Sequence, residues 1–309
     1  MLLLVPLASL WASELYSQEA LQLWYRNAAA KWEEALPLGN GRLGAMVFGG
    51  VAKERIQLNE ISIWAGPPCP EPKAGGAAVL AKARQLYFQG KYAEGEKVIQ
   101  KELLPPAIEP RSYQPLGDLQ IAMDHGAEAS SYRRELNLDT ALATTTYQVA
   151  GVTYTREVFA SGADDVMVVR LSANQPGKVS CTISLARPDA EIRASGNSTL
   201  LLRGQAAHGT EHKGVKFAAS LRAYTEKGSV CAQGNALRVE QADAVTLILA
   251  AATDYNIVTP EKPLTRKLER ACEKALSKAG KNYGHLRQTS IAAHQRLFRR
   301  VALDLGPSP

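Results

Sequence analysis

The stretch from Leu116 to about residue 255 constrains the fold most, because apolar and polar residues alternate there in many short segments. Alternation with a period of two places successive side chains on opposite faces of a β-strand. Turn residues separate the segments, and Ala150-Gly151 has the spacing of a tight hairpin in which Gly151 can adopt positive φ. The predicted strands include Ala143–Val149, Val152–Phe159, Val166–Leu171, Val179–Leu185, Val215–Tyr224, Ala236–Glu240 and Ala244–Ala250. This pattern predicts a mainly β fold, a large antiparallel sandwich or barrel.

The segments on either side of this region complete the predicted architecture. Two strands are expected upstream, and apolar residues at helical spacing predict a small helical insert and a final pair of helices. The strands are Arg42–Gly50 and Glu54–Leu58, and the helices are Ala77–Phe88, Tyr92–Leu104, Leu264–Ala279 and Tyr283–Val301. The predicted division is a leader over residues 1–18, a β domain over 19–260 and a two-helix linker over 261–309.

The N-terminus resembles the apolar region of a signal peptide. Met1–Ala12 is a short apolar run that ends in small residues, although no Lys or Arg precedes it. A run of this length is too short to span a bilayer, which needs about 20 residues. We expect a secreted or periplasmic protein without a membrane span, and the alternative is a ragged gene start.

The positive charge of the chain is concentrated near its C-terminus. The net charge is +6, and Lys and Arg outnumber the two acidic residues, Glu269 and Glu273, between Lys262 and Arg300. Such a segment can attract nucleic acid or anionic lipid. Neither aromatic interleaving nor a nucleic-acid fold accompanies it, so we favour a solvated helical face, or a face that packs on an acidic neighbour, and expect no nucleic-acid partner.

No residue pattern predicts a metal or a cofactor. His208 and His212 have the spacing of a helical metal site, but the glycines around them predict a loop. The cysteines match no zinc spacing; they are Cys69, Cys181, Cys231 and Cys272. In an exported protein Cys181 and Cys231 could form a disulfide, because both lie on predicted strands, and buried free thiols are the alternative.

The segment Gly39–Gly44 satisfies the pattern Gly-x-Gly-x-x-Gly of dinucleotide-binding proteins. That function requires a strand before the glycines and a helix after them, so that the helix N-terminus faces the pyrophosphate. Here a strand-like segment follows, so the motif predicts a tight turn that leads into the first strand. No two carboxylates in the sequence have a local context that identifies them as the catalytic pair of a glycosidase.

Several long motifs in a consistent order resemble the N-terminal region of family 95 glycoside hydrolases, the α-L-fucosidase family. They cover nearly the whole chain after the leader, and the segment Ile61–Gly66 departs modestly from the more polar Asp-Thr-Leu-Trp-Ser-Gly type of that family. The motifs are Leu23–Tyr25, Trp32–Gly50, Glu54–Glu60 with Trp64, Gly90–Tyr92, Tyr113–Leu119, Tyr132–Ala141 and Tyr154–Ser161.

This resemblance implies an N-terminal β-supersandwich, a helical linker, an (α/α)6 catalytic barrel and a C-terminal β-domain. It also implies inverting hydrolysis of terminal α-L-fucosyl residues of glycans, with some relatives acting on α-L-galactosides. The family's general acid Glu, and the Asn and Asp that activate water, lie in the barrel, which is expected beyond Pro309. We therefore expect no catalytic residue in this chain and no activity of the chain alone. The expected partners are the catalytic domain and, through the whole enzyme, a fucosylated glycan.

Four residues are candidates for contact with substrate: Asn40, Asn59, Glu60 and Trp64. Amides, a carboxylate and an indole suit the hydroxyl groups and the apolar face of a sugar. The alternative is that they make turn and interdomain contacts. Two other functions remain open for the chain, a non-catalytic carbohydrate-binding module and an interdomain scaffold.

Overall fold

A computed structural model describes residues 21–65, 74–104, 112–208, 212–260, 262–303 and 306. The strands are β1 (Gln22–Tyr25), β2 (Leu36–Gly39), β3 (Leu43–Val47), β4 (Lys53–Glu60), β5 (Gly117–Met123), β6 (Ser130–Asn137), β7 (Leu142–Val149), β8 (Val152–Ser161), β9 (Val166–Ala173), β10 (Val179–Ala186), β11 (Ala190–Ser195), β12 (Thr199–His208), β13 (His212–Glu226), β14 (Ser229–Gln233), β15 (Ala236–Ala242) and β16 (Ala244–Thr253). The helices are α1 (Gly76–Phe88), α2 (Tyr92–Val98), α3 (Leu268–Ala279) and α4 (Tyr283–Phe298).

Two antiparallel sheets form the sandwich. The order in the nine-stranded sheet is β1-β6-β7-β8-β9-β16-β13-β12-β11, and in the seven-stranded sheet it is β14-β15-β10-β5-β4-β3-β2. Strands such as β4 and β10 bury alternate residues, and the inward set forms one core between the sheets, which includes Ile56, Leu119, Ile183, Leu221 and Leu247. The predicted mainly β antiparallel sandwich with a helical insert and a C-terminal helix pair is confirmed.

The helix pair covers the outer face of the nine-stranded sheet. β16 is buried at every position because one face meets the core and the other meets α3, which explains its almost continuous apolar sequence. Cys272, Leu276 and Leu286 from the two helices pack there against Ile248 and Ala250. Burying one leucine side chain stabilises a fold by about 1.5–3 kcal/mol, so this second cluster holds the helices firmly on the sheet.

Seven strands lie outside the predicted ranges, namely β1, β2, β5, β6, β11, β12 and β14, and some element ends also differ. β11 and β14 contain no fully buried residue because they are edge strands, so apolar alternation defines the range of neither, although Cys231 on β14 was expected to lie on a strand. β12 contains Gly204, where a Cβ would lie 2.5 Å from the ring of Phe217. Some helix ends also differ from the prediction. α3 begins at Leu268 rather than Leu264, and α2 ends at Val98, where a π-helical segment, Ile99–Leu103, follows.

The cysteines and histidines form no cross-link or cluster in the described part of the chain. Cys181 is buried and Cys231 is exposed, and both are free thiols. A disulfide between them is wrong because β15 lies between their strands, which separates them by about two strand spacings of ~4.8 Å. His208 and His212 were predicted to lie in a loop, but they are the paired end residues of β12 and β13, opposite each other across the hairpin. Among the described residues no group of three His, Cys, Asp or Glu could hold a metal.

Two predictions fall on residues that the structure does not describe. The leader over residues 1–18 and Cys69 both lie outside the described ranges. No helix in the described part of the chain is long and apolar enough to cross a membrane.

Candidate functional site

The segment Gly39–Gly44 forms the predicted tight turn, but this turn joins β2 to β3 as a hairpin, because Leu36–Gly39 is itself a strand that was not predicted. Gly41 adopts φ +93°, and the side-chain Oδ1 of Asn40 accepts hydrogen bonds from the backbone N–H groups of Arg42 (3.0 Å) and Leu43 (2.8 Å). Asn40 Nδ2 donates to the carbonyl of Ser161 at 2.9 Å and so joins the two sheets. Because a strand follows the turn, the phosphate-binding geometry of a dinucleotide site does not form. Both polar atoms of the Asn40 side chain therefore have partners within the protein, and its contact with substrate stays a prediction.

The hairpin turn directs Arg42 towards three partners at one end of the sandwich. Its guanidinium forms ion pairs with Asp165 (Nε–Oδ1, 2.8 Å) and Glu60 (Nη1–Oε1, 3.2 Å) and donates to the carbonyl of Ala251 at 3.1 Å. Burial lowers the pKa of Arg42, but the hydrogen bond with Asp165 and the nearby Glu60 outweigh burial, so its pKa lies above the ordinary value. Arg42 is therefore a permanent cation held between two carboxylates.

Glu60 is buried and its second oxygen is also occupied. Oε2 accepts hydrogen bonds from the backbone N–H (2.8 Å) and the hydroxyl (2.6 Å) of Ser62, and that hydroxyl lies 2.6 Å from Thr253 Oγ1. Arg266 donates through Nε and Nη2 to the carbonyl of Thr253, at 3.0 and 2.7 Å. The network ties β4, β16 and the segment before α3 together.

These groups line a cavity of about 520 Å³, which we call the end cavity. Trp64, which is 40% exposed, stands at its rim with Nε1 donating to the carbonyl of Ile61 (3.1 Å), and Ile257 is 81% exposed. The lining residues are Arg42, Glu60, Ile61, Ser62, Trp64, Asp165, Ala251, Ala252, Thr253, Tyr255, Ile257, Arg266, Ala271 and Ala275. Since Glu60 and Asp165 share one arginine, the arrangement suits binding and positioning better than proton transfer.

Asn59 lies on the opposite side of β4 from Glu60, because neighbouring residues on a strand face opposite ways. Its Nδ2 donates to the Tyr113 hydroxyl, and two residues earlier Gln57 Oε1 accepts from Trp32 Nε1 at 2.6 Å. These side chains line a second cavity of about 350 Å³, the outer groove, on the outer face of the seven-stranded sheet. The structure thus places Glu60 and Trp64 in one cavity and Asn59 in another.

Sequence reasoning missed several residues of both cavities. Arg42 and Asp165 come together only through the packing of the two sheets, so no local pattern could pair them. Gln57 and Asn59 could have been paired, because the alternation of β4 places them on one face. Their ring partners, Trp32 and Tyr113, lie on distant segments.

The fold and its cavities define the class of this molecule: a large antiparallel β-sandwich domain with two helices packed on one sheet. A solved structure with a similar fold is "Putative kojibiose phosphorylase from human microbiome", with a TM-score of 0.51 and 13% sequence identity over 91% of this chain and 38% of that chain. The model of the family "Glycosyl hydrolase family 65, N-terminal domain" matches residues 23–257. The chain belongs to this family of N-terminal domains.

Curated relatives carry the name of fucosidases. "Alpha-L-fucosidase 2" from Arabidopsis thaliana is 32% identical over 93% of this chain and 37% of its own length. "Probable alpha-fucosidase A" from Aspergillus niger is 28% identical over 98% of this chain and 40% of its own length. The resemblance to the N-terminal domain of α-L-fucosidases is confirmed, and the chain spans about two fifths of the length of these relatives.

Proposed function

We propose that this chain is the sandwich domain of an inverting α-L-fucosidase of family 95. The whole enzyme removes terminal α-L-fucosyl residues from glycans, and α-L-galactosyl residues are a second possible substrate. The identity of 32% with the Arabidopsis fucosidase over 93% of the chain carries the proposal. The chain alone is expected to be inactive, because both carboxylates of the end cavity are held by Arg42.

The end cavity supports a role at the boundary with a catalytic domain. Ile61 and Ile257 are large apolar residues with more than half of their surface exposed, and they line the same cavity as the charged groups around Arg42. A mixed apolar and charged surface of this kind is typical of contacts between domains. We propose that the catalytic domain docks on this end, with Trp64 near its cleft.

Fucose release tests the proposal directly. The chain alone and the longest polypeptide encoded by its gene are incubated with 2′-fucosyllactose, and free fucose and its anomeric form are measured. We expect release, with inversion, by the longer polypeptide only. Trp64→Ala in that polypeptide should raise KM, whereas Trp24→Ala, at an exposed tryptophan on β1, should not. Release by the chain alone would contradict the proposal that this domain is inactive without a catalytic domain. A longer polypeptide that is inert towards every α-L-fucoside would contradict the proposed activity.

Export is part of the same proposal. A fucosidase that acts on extracellular glycans has to cross the membrane, and Met1–Ala12 has the composition of a signal-peptide core. The intact mass of the protein secreted by its host should lack this segment. A mature protein that keeps Met1 would contradict export through a cleaved signal.

A further inference from the structure

The outer groove combines aromatic and uncharged polar side chains on an open sheet face. Its lining residues are Trp32, Pro37, Leu38, Gly44, Ala45, Met46, Gln57, Leu58, Asn59, Tyr113 and Pro115. None of them is Asp, Glu, Lys, Arg or His. Four other cavities in the described part of the chain each include charged side chains. A neutral lining disfavours phosphates, nucleotides and carboxylated ligands, because nothing there offsets the desolvation of a charge.

The two rings of the groove are held in place by the strand beneath them. Trp32 is 52% exposed and Tyr113 is 42% exposed, yet the polar atom of each ring bonds to an amide side chain of β4. Gln57 and Asn59 are two residues apart on one face, so these anchors stand about 7 Å apart. The Tyr113 ring also rests against Trp64, with 5.0 Å between ring centroids. Rings fixed before binding lose little conformational entropy when a ligand arrives.

The same two amides keep hydrogen-bonding capacity for a ligand. Gln57 uses Oε1 for Trp32, which leaves its NH₂ group as a donor, and Asn59 uses Nδ2 for Tyr113, which leaves Oδ1 as an acceptor. Within the described residues neither Gln57 Nε2 nor Asn59 Oδ1 has a hydrogen-bond partner in the protein. The groove therefore presents a donor and an acceptor close to two aromatic surfaces.

We propose that the outer groove is a carbohydrate-binding site for a neutral sugar. The C–H face of a pyranose ring would pack on Trp32 and Tyr113, and its hydroxyl groups would accept from Gln57 and donate to Asn59. The volume of about 350 Å³ lies at the low end of the range of about 300–1,000 Å³ for small-molecule sites, which fits a short oligosaccharide segment. This site is separate from the end cavity and does not depend on the proposed fucosidase activity.

Titration with defined sugars tests the groove. The intact chain is titrated by calorimetry and tryptophan fluorescence with 2′-fucosyllactose, lactose, cellohexaose, maltohexaose and a xyloglucan heptasaccharide, and with oligogalacturonate as an anionic comparison. We expect at least one neutral sugar to bind and oligogalacturonate not to bind. Trp32→Ala should weaken that binding about tenfold, which corresponds to about 1.4 kcal/mol, because the sugar loses a ring on which it packs.

Two further variants separate the groove from other surfaces. Gly44→Leu adds a side chain beside Asn59, at a position where a Cβ makes only ordinary contacts of 3.4 Å or more, and should block binding while the thermal midpoint stays near wild type. Trp24→Ala removes a tryptophan of similar exposure from the other sheet and should leave binding unchanged. The proposal fails if no neutral sugar binds at millimolar concentration, if binding survives both Trp32→Ala and Gly44→Leu, or if Trp64→Ala alone abolishes it. It also fails if the groove variants still bind sugar and lose only their association with a catalytic domain, because the outer groove would then be a protein interface.

Discussion

A buried ion pair between the two sheets provides the sharpest test of how this sandwich is stabilised. Arg156 on β8 pairs through Nη1 with Glu54 on β4, and both side chains are almost completely buried. Glu54 also accepts hydrogen bonds from the backbone N–H groups of Phe48 (3.2 Å) and Gly49 (3.0 Å). Arg156 Nη1 donates to the carbonyl of Gly50 at 3.0 Å, but Nε and Nη2 have no partner within the described residues.

Because each charge of this pair is buried and depends on the other, we can predict the relative loss of folding stability in three variants. Glu54→Gln keeps an oxygen for the two backbone donors but leaves the Arg156 cation buried without a counter-charge, which should cost about 3–5 kcal/mol. Arg156→Met leaves the Glu54 carboxylate unpaired and should cost a similar amount. The double variant removes both charges and should cost less than either single variant, because the main penalty is an uncompensated buried charge.

Urea unfolding of the four proteins, followed by tryptophan fluorescence and circular dichroism, measures these free energies. At about 2–4 °C per kcal/mol, either single variant should also lower the thermal midpoint by roughly 6–20 °C. Asp118→Asn is the matched control, because it breaks the more exposed Arg55–Asp118 pair and should cost at most about 1 kcal/mol. If the two single effects simply add in the double variant, the reasoning about unpaired charge is wrong.

Two further predictions concern buried thiols and the helix pair. In a Cys69→Ser background at pH 8, iodoacetamide should modify the exposed Cys231 and spare Cys181 and Cys272, since burial raises the pKa of both to about 12 and leaves about one thiolate in ten thousand; peptide mass mapping reads the sites. Asp139, whose pKa is lowered by hydrogen bonding to Arg299, should stabilise the docked α4 above about pH 4 and lose this effect as pH falls through its lower folded-state pKa. Asp139→Asn should therefore cost at most about 1 kcal/mol at pH 7, and this cost, measured by urea unfolding, should diminish as the pH falls below about 4.

Each of these has a clear contrary result. Rapid modification of Cys181 or Cys272 in the native protein, at the rate seen in urea, would show that the core or the helix layer opens readily. An Asp139→Asn effect that does not diminish as the pH falls below about 4 would show that charge is not what Asp139 contributes.

Much of the sandwich could be predicted because the sequence of each central strand shows which of its faces are buried. β4 and β10 alternate and β16 is continuously apolar, so each reveals how many of its faces are covered. The edge strands β11 and β14 bury too little to leave such a signal. The choice between a disulfide and a buried free thiol at Cys181 stayed open in the sequence, because it depends on which strand lies next to β10.

The candidate sites were harder to predict because each combines a local pattern with a distant partner. Asn59 and Glu60 are neighbours in sequence, and this proximity made them look like one site. On β4 they face opposite ways, so Glu60 joins Arg42 at the end cavity and Asn59 joins Tyr113 at the outer groove. Trp64 was predicted to contact substrate, and this stays a prediction; its ring lines the end cavity and contacts Tyr113.

The position of β4 links the stability of the domain to both cavities. The strand is paired on both sides, with β3 and with β5, and its register is fixed by the inward residues that pack in the core. The same register places Glu54 on Arg156, Glu60 on Arg42, and Gln57 with Asn59 under the two rings. A slip of one residue would exchange the two faces and remove the ion pairs and the groove together. The two cavities are therefore not independent additions to the sandwich, because the packing that forms the core also positions the side chains that line them.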